Sequence, residues 1–170
     1  ASLARRGTRW RRARAGDSLE VDGLLLRVLH PDTAWLARRL PANENSVVLR
    51  LDYGAFSALF PGDAGSPVEA RLGSTASPVT VLKVAHHGSR SASGASWLEA
   101  LEPRVCVVST GVNRHGLPAP ETLDALSRTG CAVHRTDEAG PVRVASDGRE
   151  ALVASRGRTD RIRLTGRGIQ

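Results

Sequence analysis

The chain has 170 residues, 41% of them apolar, which is typical of one globular domain with a hydrophobic core. No stretch approaches the ~20 consecutive apolar residues that a membrane helix needs, and the apolar run of a signal peptide does not follow the arginine-rich first residues. Because the sequence contains no Met at all, we expect it to be part of a longer polypeptide.

The net charge of +7 is concentrated at the two ends of the sequence. Residues 1–40 carry nine Arg against four acidic residues and residues 141–170 carry seven against three, while the middle of the sequence has a net charge of −2. The flanks either attract nucleic-acid phosphates or are solvated termini of an arginine-biased sequence. We predict a basic arm over residues 1–15, one domain over residues 16–154, and a flexible Arg/Gly-rich tail over residues 155–170.

The first part of the domain has the apolar patterning of antiparallel strands. Residues 19–29 alternate around Asp22-Gly23, a dipeptide that favours a tight turn, and so predict a hairpin. Residues 47–51 and 55–60 are two apolar runs separated by a second turn signal, and Pro61-Gly62-Asp63 ends the second run. We therefore expect two hairpins joined by a connector.

The second part of the domain alternates strands with helices. Helices are predicted at residues 68–72, where a turn is the alternative, and at residues 95–101 and 120–128. Strands are predicted at residues 79–85, 105–109, 131–135, 142–145 and 150–154. Pro120 at the start of the third helix and Gly130 just past its end are typical helix boundaries. This order predicts a mixed α/β layered domain.

The two cysteines are predicted to be buried in neighbouring strands, since Cys106 lies in one apolar run and Cys131 opens another. Their number and spacing fit neither a zinc knuckle nor a disulfide framework. The sequence leaves open whether they are two free thiols or form a single bridge.

Three predicted strands stop abruptly at polar side chains. Asp63 follows the second hairpin, His86 and His87 follow the next strand, and Asn113 and His115 lie beyond the strand after that. Strand ends on a layered sheet can hold such groups rigidly, so we expect Asp63 and the histidine pair to share one coordination shell. Carboxylate and imidazole are ligands of Zn²⁺ and Mn²⁺, and an aspartate can bridge two ions.

Each of these residues also has an ordinary structural explanation. Gly62-Asp63 is a common turn dipeptide, and His86-His87 can be a hydrogen-bonded pair at the start of a loop. His115 lies in a polar loop, which fits either interpretation. His30, before a proline, and His134, within a strand, are predicted to be structural.

The combination of motifs is more specific than any of its parts. The motifs are Gly62-Asp63, Leu82-Lys83-Val84-Ala85-His86-His87-Gly88-Ser89, and Ser109-Thr110-Gly111 with Asn113 and Gly116. Together they resemble the late motifs of the metallo-β-lactamase superfamily, above all the hydrolase domain of ComEC-type DNA internalization competence proteins. Residues 43–49 and 135–140 resemble two further stretches of that family.

The resemblance covers roughly residues 16–146. It implies a metallo-β-lactamase-like αββα sandwich, an α+β layered fold of which this chain supplies the carboxy-terminal half or more.

The resemblance also implies roles for individual residues, with zinc or manganese as the metal. Asp63 would be the metal-bridging carboxylate, and one histidine of the pair would be a ligand, with His87 favoured. His86 would then face the scissile phosphate as a catalytic group, together with Asn113. The residues that would contact substrate or support its loop are Ser89, His115 and Lys83.

Two departures from the family pattern limit what the chain can do alone. The principal metal motif of the superfamily, H-x-H-x-D-H, is absent. The family's Gly-His-Pro loop reads Gly116-Leu117-Pro118 here, and His115 is too early in the sequence to replace the missing histidine. With two or three ligands at most, we expect the isolated chain to be inactive.

The resemblance implies a metal-dependent phosphodiesterase or nuclease that acts on DNA during competence-related uptake. Its partners would be single- or double-stranded DNA, bound without sequence preference, and a membrane-embedded channel in the same polypeptide. No small-molecule cofactor is expected. The domain would be soluble and exposed on the outer face of the cell membrane. The alternatives are a non-catalytic DNA-binding or docking module with a decayed hydrolase fold, and a metallohydrolase of small esters or lactones.

Overall fold

A computed structural model describes residues 11–165 of the chain. Most of the predicted basic arm and the last five residues of the predicted tail lie outside the described residues. Within residues 11–165, none of the helices is long and apolar enough to cross a membrane. Within these residues, helices, a large sheet and a small sheet stack as three successive layers, which correspond to α, β and β of the predicted metallo-β-lactamase-like αββα sandwich.

The large sheet has seven strands in sequence order. They are β1 Ser18–Val21, β2 Leu24–His30, β3 Val48–Tyr53, β4 Phe56–Phe60, β5 Val81–Lys83, β6 Val105–Val108 and β7 Ala132–Arg135. Strands β1 to β4 are antiparallel: tight turns join β1 to β2 and β3 to β4, as predicted, and a longer connector joins β2 to β3. Strands β4 to β7 are parallel because each connection crosses over through a helix. The carboxyl ends of β4, β5 and β6 therefore lie at one edge of the sheet.

In residues 11–165, five α-helices accompany the sheets: α1 Thr33–Leu36, α2 Ser66–Leu72, α3 Ala95–Leu101, α4 Pro120–Thr129 and α5 Thr136–Ala139. The predicted helices at α3 and α4 are confirmed, and α2 is a helix rather than a turn. Leu98 of α3 and Leu126 of α4 pack against Leu82 and Val108 of the sheet. These helices therefore cover one face of the large sheet.

The small sheet contains three antiparallel strands: β8 Arg143–Ser146, β9 Glu150–Ser155 and β10 Arg158–Arg163. It packs on the other face of the large sheet, where Ala151 and Val153 are fully buried among Phe56, Val81 and Val105. The inter-sheet core thus forms where the strands of both sheets present apolar side chains to each other.

The prediction of a flexible tail from residue 155 is wrong for the described part of that segment. Strand β10 pairs with β9 along its whole length, and its Ile162 packs into the inter-sheet core. The turn between them uses Gly157 in a left-handed conformation, with φ of 76°. Counting Arg and Gly missed the alternation of arginine with Ile162 and Leu164, which marks a half-buried strand.

His134 is structural, as predicted. Its side chain is completely buried on β7, where Nδ1 contacts Ser155 Oγ at 2.9 Å and Nε2 contacts Asp160 Oδ2 at 2.7 Å. Arg158 also binds Asp160, at 2.9 Å. Because Ser155 and Asp160 belong to the small sheet, this buried imidazole joins the two sheets.

The open question about the cysteines is resolved in favour of a bridge. Cys106 of β6 and Cys131, just before β7, form a disulfide in the core between the sheet and the helices. The disulfide closes a segment that contains α4 and links two adjacent strands.

Candidate metal and phosphate site

The candidate site lies at the edge of the large sheet where three parallel strands end. Asp63 follows β4 and the histidine pair follows β5, while Ser109 follows β6. The ends of parallel strands are brought together by the pairing itself, which makes such an edge a common place for a ligand site. The structure therefore brings together Asp63 and His87, which are distant in sequence, as predicted.

The side chain of His87 is held in one orientation between two strand ends. Its Nδ1 lies 2.7 Å from the Ser109 carbonyl oxygen. Because a carbonyl oxygen only accepts, Nδ1 carries a proton, and in the neutral imidazole the lone pair is therefore on Nε2. This Nε2 lies 3.8 Å from Asp63 Oδ1, and both side chains are about half exposed. An imidazole lone pair and a carboxylate thus face a common, solvent-accessible point.

His86 points to a different neighbour. Its backbone N–H donates to the Gly62 carbonyl oxygen at 3.0 Å, and its ring Nε2 lies 3.3 Å from Asn43 Nδ2. The Nε2 atom is therefore engaged with Asn43, whereas the Nε2 atom of His87 faces Asp63. Of the two histidines, His87 has the geometry of a ligand.

The histidine loop has an unusual backbone. His86 and His87 have φ values of 47° and 55°, a left-handed conformation that residues with a side chain rarely adopt. Gly88 is also left-handed, and a Cβ there would lie 2.6 Å from Pro118 Cβ. Successive positive φ values turn the two imidazoles away from the strand direction, and strained backbone of this kind concentrates at functional sites.

The turn at Ala42–Asn45 is part of the site, although its sequence predicted no role for it. Asn43 contacts the His86 ring, and Ser46 Oγ accepts a hydrogen bond from the Asp63 backbone N–H at 3.1 Å. Gly62 is left-handed and packs closely on Ser46. The signal was the resemblance of residues 43–49 to a stretch of the family, which does not by itself say what these residues contact.

The same turn is anchored from the helix side of the sheet. The Glu44 carbonyl oxygen accepts hydrogen bonds from His30 Nε2 at 2.9 Å and from Trp35 Nε1 at 2.7 Å. His30 and Trp35 are buried and their rings meet edge to face. This confirms the prediction that His30 is structural, because it fixes the turn behind the candidate ligands.

Asn113 organises its own loop. Its amide nitrogen donates to the carbonyl oxygens of Leu117 and Gly111 at 2.7 and 2.9 Å. Its side-chain oxygen accepts from the backbone N–H groups of His115 and Leu117 at 3.0 and 3.1 Å. Within the described residues, the hydrogen bonds of this amide stay in the loop, and none of them reaches Asp63 or His87.

The three residues assigned to substrate contact lie in different settings. Lys83 ends β5 and donates from Nζ to the Val84 carbonyl oxygen at 3.2 Å. Burial lowers the pKa of Lys83, while the charge of Asp63 acts in the opposite direction. Ser89 Oγ lies 3.0 Å from Ser91 Oγ, and His115 is exposed. Of the three, Lys83 is the one whose charge acts on Asp63.

The described part of the chain supplies an incomplete set of metal ligands. Among residues 11–165, no group of three or more His, Cys, Asp or Glu side chains is arranged to hold a metal ion. The chemistry of the Asp63–His87 pair fits zinc or manganese, since it combines a carboxylate with a neutral imidazole. The pair amounts to half of a tetrahedral shell, so the remaining ligands must come from elsewhere.

A cleft of about 820 Å³ lies at the opposite edge of the sheet, beside the starts of β4, β5 and β6. Its charged groups are already paired. Arg50 binds Asp52 and Ser77, and Arg104 donates to the Arg163 carbonyl oxygen. The charged side chains of this cleft are therefore used in contacts within the fold. The candidate ligands Asp63 and His87 lie at the opposite, carboxyl ends of the same strands.

The layered fold, with an aspartate and histidines at the ends of its parallel strands, defines the metallo-β-lactamase-like class of hydrolase folds. A solved structure has a similar fold: a Parabacteroides distasonis protein described as a metal-dependent hydrolase matches with a TM-score of 0.51 at 13% sequence identity. The match covers 79% of this chain and 60% of that one, and it concerns the fold alone. None of the protein-family models matches the chain.

Sequence similarity identifies the family within that class. ComE operon protein 3 of Bacillus subtilis is 32% identical over 130 residues, and Recombination protein 2 of Haemophilus influenzae is 32% identical over 131 residues. The chain belongs to the ComEC family of competence proteins. The matches cover 75% and 76% of this chain but 16% of each relative, so the chain corresponds to a small part of those proteins.

Proposed function

We propose that this domain carries part of the metal site of a nuclease or phosphodiesterase that acts on DNA during uptake. The observation that supports it best is the orientation of His87, whose Nε2 faces Asp63 Oδ1 at 3.8 Å while Nδ1 donates to the Ser109 carbonyl oxygen. Zinc or manganese bound there would supply a hydroxide near neutral pH and stabilise charge on the phosphoryl oxygens.

The residues of this chain would have different roles around that ion. His87 would bind it through Nε2 and Asp63 through its carboxylate, with the Ser46 hydroxyl fixing the backbone of Asp63. His86 would remain free of the metal, since Asn43 holds its Nε2, and would present its ring to the phosphate side. The ammonium group of Lys83 would hold positive charge near the phosphate.

We further propose that the domain works on the outer side of the cell membrane, attached to a channel formed by other parts of the polypeptide. The family relationship supports a membrane-protein context. The disulfide between Cys106 and Cys131 supports the oxidising, outer compartment, because cytosolic proteins seldom keep such bonds.

A non-catalytic DNA-binding module is the second candidate function. The observation that favours it is the Asn113 loop, where Leu117 occupies the place of the family's histidine and the Asn113 amide is used within the loop. A protein of this kind would bind DNA through its arginines without cleaving it.

Nuclease activity of the intact protein separates the two candidates. Asp63→Asn and His87→Gln should each abolish cleavage of DNA in the presence of Zn²⁺ or Mn²⁺ and leave the melting temperature unchanged, because both side chains are about half exposed. Asp124→Asn, an exposed carboxylate on α4, is the matched control and should keep full activity. DNA binding without cleavage by the unchanged protein would support the non-catalytic function, and cleavage that survives Asp63→Asn would show that the Asp63–His87 pair is not its active site.

A further inference from the structure

The peptide group that orients His87 is held from both sides. Its carbonyl oxygen, that of Ser109, accepts a hydrogen bond from His87 Nδ1 at 2.7 Å. Its N–H, that of Thr110, donates to Thr136 Oγ1 at 2.8 Å. This peptide bond is trans and planar, so its carbonyl and its N–H point in opposite directions. The two hydrogen bonds therefore fix the peptide plane between His87 on one side and Thr136 on the other.

The hydroxyl group of Thr136 makes two contacts with the backbone of Thr110. It accepts from the Thr110 N–H, and it donates to the Thr110 carbonyl oxygen at 2.5 Å. A hydroxyl has one hydrogen and also accepts, so a single side chain can serve both backbone groups. The Val108 carbonyl oxygen, at 3.4 Å, is the more distant acceptor. Loss of the hydroxyl would remove both contacts with Thr110 and leave the peptide plane less restrained.

Thr136 lies at the point where strand pairing ends. The pairing of β7 with β6 stops at Arg135, so Thr136 and Ser109 are the next residues on the two strands. Beyond that pair the ladder no longer fixes the backbone, and the Thr136 hydroxyl takes its place. Thr136 is also the first residue of α5, whose first turn is braced by Arg135 through Asp137 at 2.6 Å and Glu138 at 2.7 Å. The hydroxyl therefore reaches the end of β6 from a backbone that is itself held.

We propose that Thr136 is a positioning residue for His87. By fixing the Ser109–Thr110 peptide plane, its hydroxyl keeps the proton of His87 on Nδ1 and directs Nε2 toward Asp63 Oδ1, at 3.8 Å. An N–H that donates also polarises its own carbonyl, which strengthens the hydrogen bond to His87. The inference rests on the proposed function, since the direction of Nε2 matters when a metal binds between His87 and Asp63.

Three substitutions of Thr136 test this role. Thr136→Val keeps the shape of the side chain and removes the hydroxyl, and Thr136→Ser keeps the hydroxyl and removes the methyl group. Thr136→Ala is a second variant without the hydroxyl, for the case that the valine methyl group opposite the Thr110 N–H prevents folding. All three are compared with the unchanged 170-residue chain.

Thr129→Val is the matched control. The Thr129 hydroxyl also accepts from a backbone N–H, that of Cys131 at 3.2 Å, and donates to a carbonyl oxygen, that of Leu126 at 2.7 Å. It is partly buried like Thr136, but it lies before the start of β7, whereas Thr136 follows its end. Both valine variants therefore lose the same kind of contacts, and one of them loses the contacts next to His87.

The tautomer of His87 is the readout that a merely structural role would not move. NMR spectra that correlate the ring nitrogens of histidine with the carbon-bound ring hydrogens show which nitrogen carries the proton. The spectra are recorded in a buffer alkaline enough to keep imidazole neutral, and His87→Gln identifies the His87 signals. We expect the Nδ1–H form in the unchanged chain, in Thr136→Ser and in Thr129→Val, and a mixture of both tautomers in Thr136→Val and Thr136→Ala.

Two results would overturn the inference. One is an unchanged chain in which the proton of His87 is on Nε2. The other is a folded Thr136→Val or Thr136→Ala variant in which His87 keeps the Nδ1–H form of the unchanged chain. Both results are independent of metal binding and of DNA cleavage.

Cleavage of DNA by the intact protein separates this inference from the proposed function. Thr136→Val should lower the metal-dependent rate by roughly 10–100-fold, as loss of a group that orients a ligand does, and Thr136→Ser should restore most of it. Cleavage that requires Asp63 but is unaffected by Thr136→Val would overturn the positioning role and leave the proposed function standing. A change of the His87 tautomer in a protein that never cleaves DNA would overturn the proposed function and support the hydrogen-bond link from Thr136 to His87.

Discussion

His87 Nε2 lies 3.8 Å from Asp63 Oδ1, and the other ring nitrogen of His87 donates to the Ser109 carbonyl oxygen at 2.7 Å. The Ser109 carbonyl, just after β6, thereby fixes the His87 imidazole, which follows β5. The other ring nitrogen then faces the Asp63 carboxylate, which follows β4. Hydrogen bonds of this kind to the distal nitrogen orient histidine ligands in metal sites. The neighbouring His86 lacks this arrangement, because Asn43 engages its Nε2.

The isolated chain should bind zinc weakly, because Asp63 and His87 provide two ligands and a tight site needs more. Calorimetric titration with Zn²⁺ should show no tight stoichiometric binding, and His87→Gln should weaken what remains while His86→Gln changes it little. Tight one-to-one binding by the 170-residue chain would show that additional ligands are present. A larger effect of His86→Gln would show that the wrong histidine has been assigned.

Gly88→Ala should destabilise the fold markedly. The residue has φ of 83°, and a Cβ would lie 2.6 Å from Pro118 Cβ, so both backbone strain and a clash oppose the substitution. We expect a loss of about 2–4 kcal/mol in urea unfolding. Gly116→Ala is the control: its φ is 67°, but the added Cβ meets no atom within 4 Å, so about 1 kcal/mol is expected. Equal losses would mean that the contact with Pro118 contributes nothing.

Removal of the disulfide should lower the free energy of unfolding of the domain without changing the order of strands in its sheets. The bond between Cys106 and Cys131 spans 25 residues, and closing a loop of this size is worth about 3 kcal/mol through the entropy of the unfolded chain. Urea unfolding of the wild type should show that loss when reductant is added, and Cys106→Ala with Cys131→Ala should show it in both conditions. A reductant effect that persists in the double variant would have another cause.

Acid should weaken the link between the two sheets. Burial acts to raise the pKa of Asp160, but the hydrogen bonds from His134 and Arg158 outweigh it, and the pKa is lowered below 3.8. A carboxylate with a lowered pKa stabilises the fold fully above its unfolded pKa and loses that contribution as the pH falls through the folded value. Unfolding free energy measured from pH 6 to pH 2 should therefore fall less steeply in Asp160→Asn than in the wild type. Parallel curves would contradict this role.

DNA binding should depend on the arginines of the small sheet. The register places Arg143, Arg161 and Arg163 on its outer face, where all three are exposed. Each phosphate contact contributes ~0.9 to the slope of log affinity against log salt for duplex DNA, so replacing all three by Gln should flatten that slope by roughly 2–3. Fluorescence anisotropy over a salt series measures it.

The control for that experiment removes the same charge from other surfaces. Arg38, Arg114 and Arg128 are exposed, and replacing these three by Gln changes the net charge equally. If the slope of log affinity against log salt flattens equally in both triple variants, DNA is attracted by the overall charge of the protein and not by the small sheet in particular. If it flattens in neither, the arginines of the small sheet are a solvated surface. Deletion of residues 156–170 is a poor substitute for point changes, since it removes β10.

The sequence by itself determined the local elements and the position of the site along the chain. Alternation of apolar residues and turn dipeptides predicted the hairpins of β1 to β4, and helix boundary residues predicted α3 and α4. Strands that stop at Asp63 and at the histidine pair predicted a shared edge, because parallel strand ends must meet there. These features depend on neighbours within a few residues, where side-chain periodicity and backbone preference act directly.

Only the tertiary structure decided which partners those residues have. His86 and His87 are adjacent and chemically identical, and their left-handed backbone turns one toward Asn43 and the other toward Asp63. The arginine-rich segment forms the ordered strand β10 because its Asp160 contacts the buried imidazole of His134 on β7. Such contacts join residues tens of positions apart, and local sequence preference carries no information about distance in space.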